Sequence, residues 1–200
     1  MDYKRWLENL LTGLECEGKI PSLLLHSCCA PCSSYVLEYL SSRFDITLLY
    51  YNPNIFPKEE YDKRLKTLKE LIMKMDAQNL ITLIEGEYEN DRFSEITRGY
   101  EDEAEGGKRC RLCYALRLEE AAAAAKRLNL DYFTTTLSVS PHKNAEWINE
   151  TGAQMAEKYG VPYLYSDFKK NNGYKRSIEL SKAYGLYRQD YCGCKWSKRG

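Results

Sequence analysis

Short apolar runs alternate along this chain with longer stretches in which apolar residues recur every three or four positions. The runs Ser22–Ser27, Asp45–Tyr51, Leu80–Ile84 and Asp131–Thr136 predict β-strands. Their near-continuous apolar character, in place of strict alternation, is that of parallel strands covered on both faces. Between them lie helical patterns. One starts near Pro31, a residue suited to a first helical turn. Others span Lys58–Met75, Cys110–Leu128, Asn144–Tyr159 and Lys175–Tyr184. In the second, Tyr61, Leu65, Leu68, Ile72 and Met75 fall on one face. The alternation predicts a single α/β domain over residues 1–200, with a doubly wound, mostly parallel sheet and helices on both faces. Ligands of such sheets sit beyond the carboxyl ends of the strands.

Composition narrows the class. With 44% hydrophobic and 29% charged residues the chain excludes disordered, collagen-like and rod-like proteins. No window approaches the ~20 apolar residues of a bilayer span. The start Met1–Glu8 lacks the apolar core of a signal peptide, so a cytoplasmic protein with no membrane partner is expected. The 29 basic and 29 acidic residues cancel, yet Lys169–Gly200 holds nine basic against two acidic residues, a net +7, leaving −7 for the rest. Such runs are most often solvated faces. The alternative is an electrostatic footprint for a polyanion, with Lys169, Lys170, Lys175, Arg176, Arg188, Lys195 and Lys198 as candidate phosphate contacts and some of the 17 tyrosines available to stack on unpaired bases.

Eight cysteines in a chain with no secretory signal point to metal or redox chemistry in place of a disulfide scaffold. Seven fall into three groups: Cys28-Cys29-Ala30-Pro31-Cys32, Cys110-Arg111-Leu112-Cys113 and Cys192-Gly193-Cys194. The first lies where a strand gives way to a helix. Cys29 and Cys32 share a helix face there, whereas Cys28, still extended, is expected to point elsewhere. Cys110 and Cys113 open a helix, a position that lowers thiol pKa values, behind the permissive Gly106-Gly107. Gly193 lets the chain turn so that two sulfurs face one ion. A lone four-thiolate zinc site would leave three of the seven unused, and buried cysteines acting as small hydrophobes would not cluster at ligand spacing. Seven soft ligands predict two metal centres, zinc or iron–sulfur, with one position open or filled by oxygen. Asp190 and Asp167 are the candidates for that oxygen ligand or for a proton donor, against the plain reading of surface carboxylates. Cys16 stands apart.

These residues also carry a resemblance. His26-Ser27-Cys28-Cys29-Ala30-Pro31-Cys32, Tyr51–Ile55 with Glu60, Tyr61 and Arg64, Gly107–Cys113, Thr135–Pro141, Asp167–Lys170 with Gly173, and Tyr187–Cys194 follow one another in an order that resembles the cobalamin-independent epoxyqueuosine reductases of the QueH type. The resemblance runs from about Ser22 to Ser197. It implies reduction of epoxyqueuosine to queuosine in the anticodon loop of tRNA, at an iron–sulfur cluster of the 4Fe–4S type with an adjacent iron or other divalent metal ion. It further implies a fold similar to the PP-loop ATPases and related nucleotide hydrolases (the HUP fold); separately, the Cys192-Gly193-Cys194 motif is expected to bring the basic segment 169–200 over the metal site. Where those ATPases carry a glycine-rich phosphate loop, this chain has Ser27–Ser34, which is a poor pyrophosphate cradle, so ATP use is not expected. No dinucleotide fingerprint is visible, and electrons are expected from an external donor protein. Two rivals stay open at this point: an iron–sulfur-dependent tRNA thiolase and a non-catalytic, zinc-stabilised RNA-binding module.

Overall fold

The computed structural model describes residues 1–77, 79 and 81–197. In chain order the main elements are α1 (Tyr3–Cys16), β1 (Ser22–His26), α2 (Ala30–Leu40), β2 (Asp45–Tyr50), α3 (Lys58–Lys74), β3 (Ile81–Glu85), α4 (Asn90–Ile96), α5 (Lys108–Arg127), β4 (Tyr132–Thr135), α6 (Ala145–Tyr159) and α7 (Gly173–Ala183). The four strands form one all-parallel sheet in the order β3-β2-β1-β4. Growth from β1 runs one way through β2 to β3 and the other way to β4. The reversal point therefore lies between β1 and β4, where such sheets open a crevice at their carboxyl ends.

Each central strand feeds two cores, as expected for a doubly wound sheet. Leu23, Leu25, Ile46 and Leu48 face one way, toward α2 and α3 (Leu37, Leu40, Leu68, Leu71). Leu24 and Leu49 face the other way, toward the alanine run of α5 and Ile148 of α6. The small side chains Ala121–Ala125 let α5 lie close over the sheet. Local signals explain the ends: Asn144 caps α6 by accepting from the Trp147 amide (3.1 Å), and Gly160 ends it in a left-handed conformation.

Two helices, α1 and α4, lie outside the elements expected from the periodicity. Helix α1 carries only Leu7 and Leu11 fully buried, with Trp6 set edge-on against Tyr165. Seven-residue α4 buries Phe93 alone. That helix is too short to show a period, whereas α1 carries Trp6, Leu7, Leu10, Leu11 and Leu14 at helical spacing, a periodic signal that the sequence does hold. No described helix is long and apolar enough to cross a membrane.

Candidate metal centre

The strand β1 ends at His26, and the chain turns through Ser27 and Cys28 before Cys29 takes the N-cap position of α2. This turn corrects the expectation that Cys28 points away from its neighbour. Pleat alternation holds only inside a strand, and Cys28 lies beyond the last one. Its sulfur is 3.7 Å from that of Cys29, and the sulfurs of Cys28, Cys29 and Cys32 all lie within 4.8 Å of one another. Two sulfurs bound at about 2.3 Å to one tetrahedral ion would lie about 3.8 Å apart. The trio has the donor chemistry and the spacing to hold a thiophilic metal. Hydrogen bonds from the Cys28 and Cys32 thiols hold Cys29 well below the usual thiol range, and the same contacts push Cys32 well above it. Thr136, in the turn after β4, donates to the Cys28 sulfur (3.2 Å) from across the crevice.

The second and third groups approach the same crevice. Cys110 and Cys113 lie buried in the first turns of α5. The expected lowering of their pKa by the helix N-terminus is overturned. Burial dominates and raises both, Cys113 to about 11, although the Gly106 amide donates to Cys110 Sγ at 3.2 Å. Burial prevails because removing a thiolate from water costs more than a partial helix-terminal charge returns. Cys192 and Cys194 are near enough to act electrostatically on Cys110. Cys192 lines a cavity of about 610 Å³ together with Cys28, Cys29 and Cys32. Gly193 between them has φ +123°, a conformation side chains rarely adopt, and an added Cβ would sit 2.9 Å from Ile55 Cγ1.

Three residues fix this arrangement without having been singled out for a role. Buried Arg64 of α3 pairs with Glu60 (2.7 Å) and donates to the carbonyls of Cys192 (3.1 Å) and Tyr191 (3.3 Å), pinning the tail. Lys143, in the loop before α6, donates to Cys192 Sγ (2.8 Å) and pairs with Glu105 (3.1 Å). Burial alone would lower its pKa, but the Cys192 sulfur, Tyr114 and Glu105 outweigh it, and the ammonium is held well above its ordinary range. Arg117, one helical turn after Cys113, lies fully buried beneath the crevice. It donates to Asn52 Oδ1, and its Nε lies 3.3 Å from His26 Nε2, a nitrogen that is also 3.0 Å from the Tyr51 carbonyl. Burial and then the Arg117 charge push His26 down to about 3, so the ring is neutral. The i+4 spacing from Cys113 to Arg117 was the available signal, whereas Lys143 had none.

The other candidate residues are spread out. Asp190 and Arg188 are exposed and line the cavity, with Arg188 also reaching Ser181 Oγ (3.1 Å). Asp167 is outside the cavity wall and pairs with Lys169 (2.7 Å). Arg176 is held by Glu38 and Glu179 on the surface. Lys170 and Lys175 are exposed, and Lys195 lies over the Trp196 ring. Lys198 lies outside the described residues. Cys16 is exposed at the end of α1.

Whether these residues suit a bound metal group can be read from an unfulfilled donor. The Tyr114 hydroxyl, flanked by Cys110 and Cys113 in α5, is buried with no hydrogen-bond partner. Buried hydroxyls are normally paired, and a sulfur-rich anionic group among the cysteines would complete it.

Comparison with known proteins agrees with the site. The sequence profile described as epoxyqueuosine reductase QueH matches residues 23–200. The epoxyqueuosine reductase QueH of Streptococcus pyogenes serotype M1 is 42% identical over 201 residues, covering 100% of this chain and 79% of the relative. That of Staphylococcus epidermidis is 43% identical, covering 97% and 83%. A more distant relative from Thermotoga maritima is 36% identical, covering 88% and 90%. The chain belongs to the epoxyqueuosine reductase QueH family.

Proposed function

We propose that this protein reduces epoxyqueuosine to queuosine in the anticodon loop of tRNA, in the cytoplasm. The observation that carries the reading is the cavity at the sheet's reversal point, lined by Cys28, Cys29, Cys32 and Cys192, in a chain of this family. Removing the epoxide oxygen to leave an alkene consumes two electrons and two protons and releases water. An iron–sulfur cluster with an adjacent iron, held by Cys28, Cys29, Cys32, Cys110, Cys113, Cys192 and Cys194, would supply the electrons and a Lewis acid when bound. An external donor protein refills it.

The chain's own residues do the rest. The cavity takes a modified base splayed out of the loop, as single-stranded RNA is usually read. The Lys143 ammonium in its wall favours negative charge as it develops on the oxygen. Asp190, exposed at the same wall, is placed to pass protons from solvent or to complete the metal's coordination. Arg188 in the cavity wall and the exposed Lys170 and Lys175 offer phosphate contacts. Lys169 and Arg176 can do so only by leaving Asp167 and Glu38, and Lys195 extends the basic surface. In this reading the basic segment that begins at Lys169 serves as the tRNA-facing side of the metal site.

The test is genetic. In a bacterial strain that lacks its own reductase and accumulates epoxyqueuosine in tRNA, expression of this protein restores queuosine, and Cys28→Ala or Cys192→Ala does not. Epoxyqueuosine that persists despite soluble, metal-loaded protein removes the assignment.

A further inference from the structure

Arg117 is an uncommon object: a guanidinium, permanently charged, with only 2% of the residue exposed. Among the described residues it makes no ion pair with any carboxylate. It donates to a neutral amide oxygen, Asn52 Oδ1, and packs against the neutral ring of His26, whose Nε2 lies 3.3 Å from Arg117 Nε and 3.0 Å from the Tyr51 carbonyl, with Nη1 3.9 Å from Cys113 Sγ. The amide cannot turn away, because Asn52 Nδ2 donates to the Ser27 carbonyl at 2.9 Å. The ring is held from its far side, with Nδ1 2.8 Å from Thr135 Oγ1. Neutral groups of β1 and of the loop after β2 thus surround the cation, with β4 bracing the His26 ring, and fix it in place without discharging it.

A buried charge without compensation costs several kcal/mol in real proteins. The groups beside it that a bound metal would render anionic are cysteine sulfurs: Cys113 Sγ lies 3.9 Å from Nη1, and the guanidinium lines the cavity together with Cys28, Cys29, Cys32 and Cys192. We infer that Arg117 is the built-in counter-ion of the metal centre, a positioning residue whose fixed charge raises the centre's reduction potential by stabilising the more negative, reduced state. The inference rests on the reading that the cysteines hold a redox-active metal group.

Buried charge acts through a low effective dielectric, so the effect should be visible in a potential and should follow charge, not shape. The experiment uses the full chain, anaerobically loaded with iron and sulfide, with the midpoint potential taken by spectroscopic redox titration. Arg117→Gln should lower the potential by at least the equivalent of a tenfold change in the one-electron equilibrium, about 59 mV. Asn52→Asp, which places a carboxylate against the guanidinium while leaving Arg117 in place, should shift it in the same direction. Arg117→Lys, which keeps the charge, should stay close to the unaltered protein. Should Arg117→Gln fail to fold or load, Asn52→Asp decides, and loss of loading in both with retention in Arg117→Lys also supports the counter-ion role. Loaded variants whose potentials match the unaltered protein overturn it, as does a loss of loading in Arg117→Lys equal to that in Arg117→Gln, because a packing role would then suffice. An unaltered protein that binds only zinc and shows no redox transition removes the metal-centre reading itself, which is a separate outcome.

Discussion

Replacing Arg64 by Met is the most informative perturbation of the scaffold. Its side chain is 2% exposed and its partner Glu60 12%, so the pair sits in the range where breaking one partner costs about 3–5 kcal/mol. Glu60 keeps the Tyr187 hydroxyl as a second donor (3.2 Å), which favours the lower end, about 3 kcal/mol. The carbonyls of Tyr191 and Cys192 lose their Arg64 donor as well, which leaves the tail to bonds such as the Phe56 amide to the Gly193 carbonyl (2.9 Å) and the Tyr191 hydroxyl to the Phe56 carbonyl (2.7 Å). For a domain of this size 1 kcal/mol moves the melting temperature by roughly 2–4 °C, so a fall of about 6–12 °C is expected. Circular dichroism on the metal-free protein measures that fall, and iron analysis after reconstitution measures whether Cys192 and Cys194 are still presented. A melting point within about 2 °C of the unaltered protein, with full iron loading, would refute the claim that Arg64 holds the tail at the site.

Three further outcomes follow from the same structure. Alanine at any of Cys28, Cys29, Cys32, Cys110, Cys113, Cys192 or Cys194 should reduce bound metal or turnover, while Cys16→Ala changes neither; four silent changes among the seven would point to a single small site. His26 is held neutral with a pKa near 3 against 6.5 unfolded, so the unfolded chain binds the extra proton and stability falls as pH drops below 6.5. Between pH 6.5 and 5 the loss is about 2 kcal/mol, seen in urea unfolding as a slope that His26→Gln flattens; an unchanged slope would count against a buried neutral ring. The pair Lys170→Glu and Arg188→Glu should weaken tRNA binding and reduce the log–log salt slope by roughly 0.7–0.9 per lost contact, and binding with the original slope would leave the basic tail a solvated face.

The sheet and its main helices were legible because the strands are apolar on both sides and α3, α5 and α6 carry long periodic faces. The grouping of the cysteines was legible for a simpler reason, since ligand spacing is written in the sequence. What the sequence could not carry was direction. Whether Cys28 joins Cys29 depends on where β1 stops, and a shift of a single residue reverses the side a sulfur faces. The protonation tendency of Cys110 and Cys113 likewise depends on burial, which overrode a correctly placed helix terminus. The residues that support the site, Arg64, Lys143 and Arg117, reach it from α3, a loop and α5; charged side chains are usually exposed, and apart from the i+4 spacing of Arg117 from Cys113 nothing in their local sequence announced that these would be buried.

The most direct measurement is a single-turnover reaction. Purified protein, loaded anaerobically with iron and sulfide and reduced chemically, is mixed with tRNA bearing epoxyqueuosine, and the nucleosides are resolved by mass spectrometry. Conversion to a nucleoside lighter by one oxygen atom, lost in Cys28→Ala and Cys192→Ala, is the predicted result. Unchanged epoxyqueuosine with fully loaded, reduced protein and demonstrated tRNA binding would contradict the account.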